Sequence, residues 1–195
     1  MTTLYFVRHA QPDYRTGDNP TFALSEEGEK DALLAADHLK DIRFDAAVSS
    51  SYRRSIDTIR PIILSQKLKL KTDIRLRERD NAGRGSNTPE MFRRRWNDFD
   101  YHEAGGESLR STQDRNIAAV SDILHEFTDK TVLIGTHGTA LAVILNYYDP
   151  SFGLNGFLRM IDFMPCIIRM TFDGAQLSEQ KELFYIKKEF HGVTD

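Results

Sequence analysis

Leu4-Tyr5-Phe6-Val7-Arg8-His9-Ala10 reads as a buried strand that stops with a guanidinium and an imidazole at its tip. Four apolar residues run straight into Arg8 and His9, and a small residue and a polar loop follow. In open α/β sheets, ligands sit just outside the carboxyl ends of the strands. The first ten residues therefore propose a site, and the rest of the chain decides what converges on it.

Residues 10–23 are rich in turn formers and read as a loop. Ser25 is a good helix N-cap, with Glu26 and Glu27 in the first turn, where acids suit the helix dipole. Ala32, Leu33, Ala36 and Leu39 give that helix an apolar face up to about Lys40. Ala46-Ala47-Val48 is a short strand ending in Ser49-Ser50-Ser51. A helix from about Tyr52 turns Ile56, Ile59 and Ile63 inward, with a kink expected at Pro61. Leu68 to Leu76 reads as a third strand region closing at Arg77-Glu78.

The segment 79–107 is polar and contains glycine, with a short helix expected from Pro89; it reads as a lid. Ser108 caps a long helix carrying Leu109, Ile117, Val120, Leu124 and Phe127 inward. Thr131 to Gly135 is another buried strand, with Thr136-His137-Gly138 at its tip and a helix after it. Ile167 to Phe172 and Leu183 to Ile186 look like a hairpin turning at Asp173-Gly174. This alternation argues an α/β fold, its sheet mostly parallel with an antiparallel edge.

A parallel sheet puts Arg8-His9, Ser49–Arg54, Glu78 and Thr136-His137-Gly138 on one edge. That set holds two imidazoles, arginines and one carboxylate. Arginine is a permanently charged fork that suits phosphate. A neutral imidazole is a nucleophile toward phosphorus, and a carboxylic acid can protonate a leaving alkoxide. Helix N-termini after Ser51 and Gly138 offer backbone N–H groups to an anion. Phosphoryl transfer fits, because positioning and charge stabilisation supply most of its catalysis. No metal need be invoked.

The same residues resemble the histidine phosphatase superfamily, the phosphoglycerate mutase-like group. Arg8-His9-Ala10 stands where that family has Arg-His-Gly, and Leu24-Ser25-Glu26-Glu27-Gly28 is similar to its Leu-Ser/Thr-x-x-Gly. Ser49 to Thr58 is similar to its Ser-x-x-x-x-Arg-Ala-x-x-Thr segment, and Leu76-Arg77-Glu78 to its Leu-x-Glu. Gly106-Glu107-Ser108 and Thr136-His137-Gly138 complete the order, from about residue 3 to 145. The resemblance implies a three-layer sandwich with helices on both faces of the sheet. One domain spans 1–195, with a small helical cap inserted at about 79–107. It implies His9 as nucleophile through a phosphohistidine, and Glu78 as proton donor. It also implies that Arg8, Arg54 and His137 hold the phosphoryl oxygens. Arg53 and Arg54 lie about 100° apart on a helix, so one of them faces the site. The spacing to Thr58 favours Arg54. Ala10, Gln11-Pro12 and Arg15 depart from the family pattern, and Arg15 is a candidate phosphate contact.

The expected function is a metal-independent phosphatase acting on small phosphomonoesters, with no cofactor. Phosphoglycerate mutase-type transfer and a non-catalytic phosphate-ligand binding protein are the alternatives. The short stretch between Glu78 and Glu107 favours hydrolysis over mutase action. Read without the resemblance, the histidines could be structural or metal ligands, although no third histidine or paired acid stands at ligand spacing. Asp80 competes with Glu78 as donor, and Arg93-Arg94-Arg95 reads as a solvated face. Substrate choice falls to cap side chains such as Arg84, Phe92, Trp96, Phe99 and Tyr101.

The wider composition restricts the partners. The chain has 195 residues, 40% hydrophobic and 28% charged, with a net charge of −3. That balance gives no basic field for nucleic acid or an anionic membrane. The single cysteine, Cys166, cannot form an internal disulfide and reads as a buried small hydrophobe. With no basic n-region and no membrane-length apolar run, the expectation is a cytoplasmic protein acting on a small phosphorylated substrate. The oligomeric state is not legible.

Overall fold

The computed structural model describes residues 1–81 and 87–189. Its strands are β1 (Thr2–Arg8), β2 (Ala46–Ser49), β3 (Leu70–Thr72), β4 (Thr131–Thr136), β5 (Phe163–Asp173) and β6 (Gln176–Lys187). The helices are α1 (Glu26–His38), α2 (Arg53–Gln66), α3 (Pro89–Asn97), α4 (Leu109–Glu126), α5 (Gly138–Tyr148) and α6 (Leu154–Met160). The strands form one mixed sheet in the order β3-β2-β4-β1-β5-β6. β3, β2, β4 and β1 are parallel neighbours, and β5 and β6 add the antiparallel edge. Among the described residues, no helix is long and apolar enough to cross a membrane.

Both faces of β1 are apolar, so both are covered. Leu4 and Phe6 pack into a cluster with Val120 and Ile123 of α4 and Leu141 and Ile144 of α5. Tyr5 and Val7 point the other way, toward Ala35 of α1 and Ile59 and Ile62 of α2. The two-residue period of the strand thus sends alternate side chains into two separate cores. Parallel pairing sets Arg8 beside Thr136 and Ser49 beside Gly135. The tips of β1, β2 and β4 therefore end together, and His9 N–H donates to the Thr136 carbonyl at 3.1 Å.

Local chemistry accounts for the element boundaries. Ser25 Oγ accepts from Gly28 N–H and caps α1. A Cβ at Gly28 would collide with the Gln11 carbonyl, so glycine lets the loop after β1 lie against the helix. Ser108 caps α4 through Ser111 N–H, and Thr88 caps α3 through Met91 N–H. The β5–β6 hairpin turns through Gly174, whose φ is 58°.

Several expectations need correction. Ala32 and Leu39 are buried and Ala36 packs against the core as expected, but Leu33 is 60% exposed, and Asp31 and Ala35 complete the inward face of α1. Leu33 lies one residue, or about 100°, away from Ala32, which rotates it toward solvent. The third strand is only Leu70–Thr72. Asp73 stops it by accepting from Arg75 N–H, which caps a 3-10 turn over Ile74–Leu76. Helix α2 runs on through Pro61; Ile59 is buried and Ile63 packs against the same cluster as expected, while Ile62 is buried and Ile56 is only partly so. Helix α6 has no counterpart in the sequence reading: Gly153 and Gly156 around a seven-residue element hide its period.

Candidate active site

A cavity of about 170 Å³ opens at the strand tips. Arg8, His9, Arg54 and Glu78 line it together with Gln11, Tyr14, Asn19, Gly138 and Thr139. The tip of β1 supplies the first two, the first turn of α2 supplies Arg54, and the loop after the 3-10 turn supplies Glu78.

His9 is buried, and its Nδ1 lies 2.8 Å from the carbonyl of Ala10. A carbonyl only accepts, so Nδ1 carries the ring proton and Nε2 keeps the lone pair. Ala10 N–H in turn donates to Thr58 Oγ1, whose hydroxyl donates to the Arg54 carbonyl. The loop that fixes the His9 ring is thus tied to α2. Burial is the largest influence on His9, followed by the charges of Arg54 and Arg8. Together they push the imidazole well below the usual 6.5, against the opposing hydrogen bond to Ala10.

His137 stands edge-on to His9, with ring centroids 5.3 Å apart. It is 0% exposed and does not line the cavity. Its Nε2 is 2.8 Å from Ser50 Oγ, and its buried Nδ1 has no hydrogen-bond partner among the described residues. Burial first, then Arg54 and His9, lowers its imidazole well below 6.5 as well.

Both histidines are held neutral in the fold, while unfolding frees them to take protons as the pH falls through 6.5. Stability from this source is complete above that value and is lost below it. Between pH 7 and pH 5.5, wild type should lose about 1 kcal/mol more unfolding free energy than His9→Asn. Urea titrations at the two values measure this, and equal losses would contradict it.

The arginines are oriented by carbonyls. Arg8 donates to the carbonyls of Met160 at 2.5 Å and Ile161 at 2.9 Å, at the end of α6. Its Nε is buried and has no partner among the described residues. A Cβ at Gly138 would sit 3.0 Å from Arg8 Cζ, so glycine leaves room for the guanidinium. Arg54 is buried, donates to the Asn19 carbonyl and packs 5.1 Å from the Tyr52 ring centre. Arg53 points outward and pairs with Asp57. Arg15 is not brought to the cavity. Its side chain is 90% exposed, and Asp13 holds its fork through both carboxylate oxygens.

Glu78 closes the site. Its Oε2 accepts from Thr139 N–H at 3.0 Å, and its Oε1 from Ala140 N–H at 3.1 Å and Arg79 N–H at 2.8 Å. Two first-turn donors of α5, the Thr139 and Ala140 N–H groups, are thus taken by this carboxylate, while Gly138 lines the cavity. At α2, Arg53 N–H is likewise taken, by the Pro20 carbonyl. Asp80 is exposed and does not line the cavity.

The residue that fixes Glu78's backbone was not singled out from the sequence. Arg115, on α4, donates to the carbonyls of Arg75 at 2.6 Å, Arg77 at 2.7 Å and Glu78 at 3.1 Å. The same guanidinium grips Glu107 at 2.7 and 2.8 Å. Burial works to raise the Glu107 carboxyl, but the hydrogen bonds and charge of Arg115 outweigh it and hold it below the usual range. The Gly106-Glu107-Ser108 motif was the available signal: Glu107 orients Arg115, and Arg115 shapes the loop of Glu78. Arg115→Ala should lower kcat by about 10- to 100-fold, because misplacing a reacting group by an ångström has that effect. KM should move little. Arg115→Lys should not restore the rate, since a point charge cannot bind three carbonyls and a carboxylate at once. A rise in KM alone would contradict a positioning role.

Among the described residues, no group of three or more His, Cys, Asp or Glu side chains is placed to hold a metal ion. Cys166 is buried, away from the cavity wall, and burial pushes its thiol up to about 12. Of the cap side chains expected to choose substrate, Phe92 lines the cavity. Trp96, Phe99 and Tyr101 do not, and Arg84 lies outside the described residues.

The chain is 26% identical over 149 residues to a Bacillus subtilis protein named uncharacterized phosphatase PhoE, covering 74% of this chain and 76% of that one. It is 29% identical over 164 residues to the 2,3-bisphosphoglycerate-dependent phosphoglycerate mutase of Rhizobium etli, covering 72% and 77%. Bacillus stearothermophilus YhfR shares the fold with a TM-score of 0.75 at 23% identity, over 91% of this chain and 95% of that one. The profile of the histidine phosphatase superfamily, branch 1, matches residues 4–181 and so takes in Arg8-His9, Arg54, Glu78 and His137; the chain belongs to that superfamily.

Proposed function

We propose that the protein is a metal-independent phosphatase that hydrolyses small phosphomonoesters through a phosphohistidine on His9. The observation that carries this reading is the Nδ1–Ala10 hydrogen bond, which leaves the Nε2 lone pair as nucleophile in a cavity shared with Arg8, Arg54 and Glu78. In the first step His9 Nε2 bonds to phosphorus as the bond to the ester oxygen breaks. Glu78 gives its proton to the departing oxygen. Phosphorylation at Nε2 makes the ring cationic, and the Nδ1–H donated to Ala10 shares that charge with a carbonyl dipole. Arg8 and Arg54 balance the phosphoryl oxygens. His137 packs edge-on behind His9, with an Nδ1 that has no partner among the described residues. In the second step water attacks phosphorus, Glu78 takes its proton, and the P–N bond breaks to restore neutral His9.

A mutase would use the same intermediate and must keep the dephosphorylated product bound until the group returns. Between Glu78 and Glu107 this chain has, among the described residues, only the nine-residue helix α3 to cover the site. That slight cover supports water as the acceptor. Inorganic phosphate measured over sugar phosphates, nucleotides and phosphoglycerates should appear in step with substrate loss, with or without a chelator. Sustained interconversion of phosphoglycerates without net phosphate release would contradict the proposal.

A further inference from the structure

Away from the phosphoryl-binding groups, the cavity wall changes character. Phe92 of α3, Ala142 of α5 and Phe157 of α6 line it and belong to one apolar cluster that Trp96 and Phe152 back. Among the described residues, Arg8 and Arg54 are the only arginine or lysine side chains on the wall. Among the described residues, a leaving group with a negative charge of its own meets no cation on this part of the wall. Among the described residues it meets apolar surface, the Glu189 side chain, the Asn81 amide, whose Oδ1 accepts from Arg79, and one further oriented amide.

That amide is Asn87. It immediately precedes Thr88, the N-cap of α3, and it lines the cavity. Arg95, in the last turn of the same helix, donates to Asn87 Oδ1 at 3.0 Å. Arginine can only donate, so the amide oxygen must face Arg95 and the amide nitrogen must face away from it. Among the described residues, that nitrogen has no hydrogen-bond partner. Arg95 cannot wander. It is 3% exposed and bound to Glu103 at 2.6 and 2.9 Å, and Glu103 also binds the 1% exposed Arg79. Asn87, just before the N-cap of α3, and Phe92 of α3 thus bring a fixed N–H donor and an aromatic ring to the same wall.

We infer that Asn87 is a specificity-determining residue: it donates to an uncharged acceptor oxygen on the leaving alcohol, whose carbon chain lies against Phe92, Ala142 and Phe157. The substrate class is then a phosphate monoester of an uncharged, largely apolar alcohol bearing an ether or hydroxyl oxygen. This rests on the phosphatase reading above.

The test compares 2-propoxyethyl phosphate with hexyl phosphate, an isosteric pair differing in one ether oxygen, and adds 3-phosphoglycerate as the charged alternative. For wild type, kcat/KM should be lowest for 3-phosphoglycerate. The ratio of kcat/KM values, ether over alkyl, should fall about tenfold in Asn87→Asp, the scale of one neutral hydrogen bond. Asn87→Asp keeps an acceptor for Arg95, removes the donor and adds a charge that bears on both esters alike; Asn87→Leu removes donor and acceptor together. An equal fall in the two variants supports the donor role. A fall in Asn87→Leu alone makes Asn87 a mere prop for Arg95 and overturns the inference, as does a preference for 3-phosphoglycerate. Hydrolysis of none of the three esters, in a protein that also takes no phosphoryl label on His9, overturns the phosphatase reading itself.

Discussion

His9→Ala should abolish phosphate release, with kcat/KM falling on the order of 10⁴- to 10⁶-fold, the scale seen when a covalent nucleophile is removed. Among the described residues, the cavity wall has no second imidazole to take over. The wall holds no thiol, and Cys166 is buried away from it with its thiol pushed up to about 12. His137 is shut behind His9 and fully buried. The protein should remain folded, because the ring is held by one hydrogen bond, to its neighbouring carbonyl. Thermal unfolding of the variant checks that. An activity surviving in His9→Ala within tenfold of wild type would contradict nucleophilic catalysis. A protein whose pocket only recognises a phosphate ligand would keep much of its binding on the same change.

Glu78→Gln should lower kcat by about 10²- to 10⁴-fold on alkyl esters, the usual worth of a positioned general acid. The loss should shrink on aryl esters such as p-nitrophenyl phosphate, whose leaving oxygen departs without a proton. Glutamine keeps one acceptor oxygen in place of the two that receive the Thr139 and Ala140 N–H groups, so the loss of capping falls on both ester types alike. The comparison therefore isolates proton transfer from helix capping. An equal loss on both ester types would assign Glu78 to structure instead. Asp80→Asn serves as the control. Asp80 is exposed and its backbone, through Glu107, is what joins it to the site, so its substitution should leave both rates within a few-fold.

Much of this site was legible because strand tips carry their own signature. Four apolar residues running into Arg8-His9 announced both the strand and the side it opens on. The same pattern at Thr131 to His137 fixed the second imidazole, and parallel register did the rest. Glu78 was legible as a residue, yet the reason for its place was not. It depends on the α5 N-terminus and on Arg115, whose carbonyl partners lie 37 to 40 residues away in sequence. Arg15 misled because loop residues have no periodicity to orient them. Asp13, two residues earlier, captures it. The far wall was hardest to read. Helix α6 is too short to show an amphipathic period, and its Phe157 reaches the cavity by tertiary packing alone. The donor-bearing face of Asn87 likewise follows from Arg95, a residue that read as one of three in a solvated run but is in fact buried.

The central claim is a covalent bond between phosphorus and His9 Nε2. Rapid acid-free quenching of the protein during turnover of a ³²P-labelled monoester, followed by peptide mapping, tests it most directly. The account predicts label that is stable in base, lost in acid, carried on the peptide containing His9 and absent from His9→Ala. Turnover at the full wild-type rate with no label on that peptide, or label that is stable in acid, would contradict it.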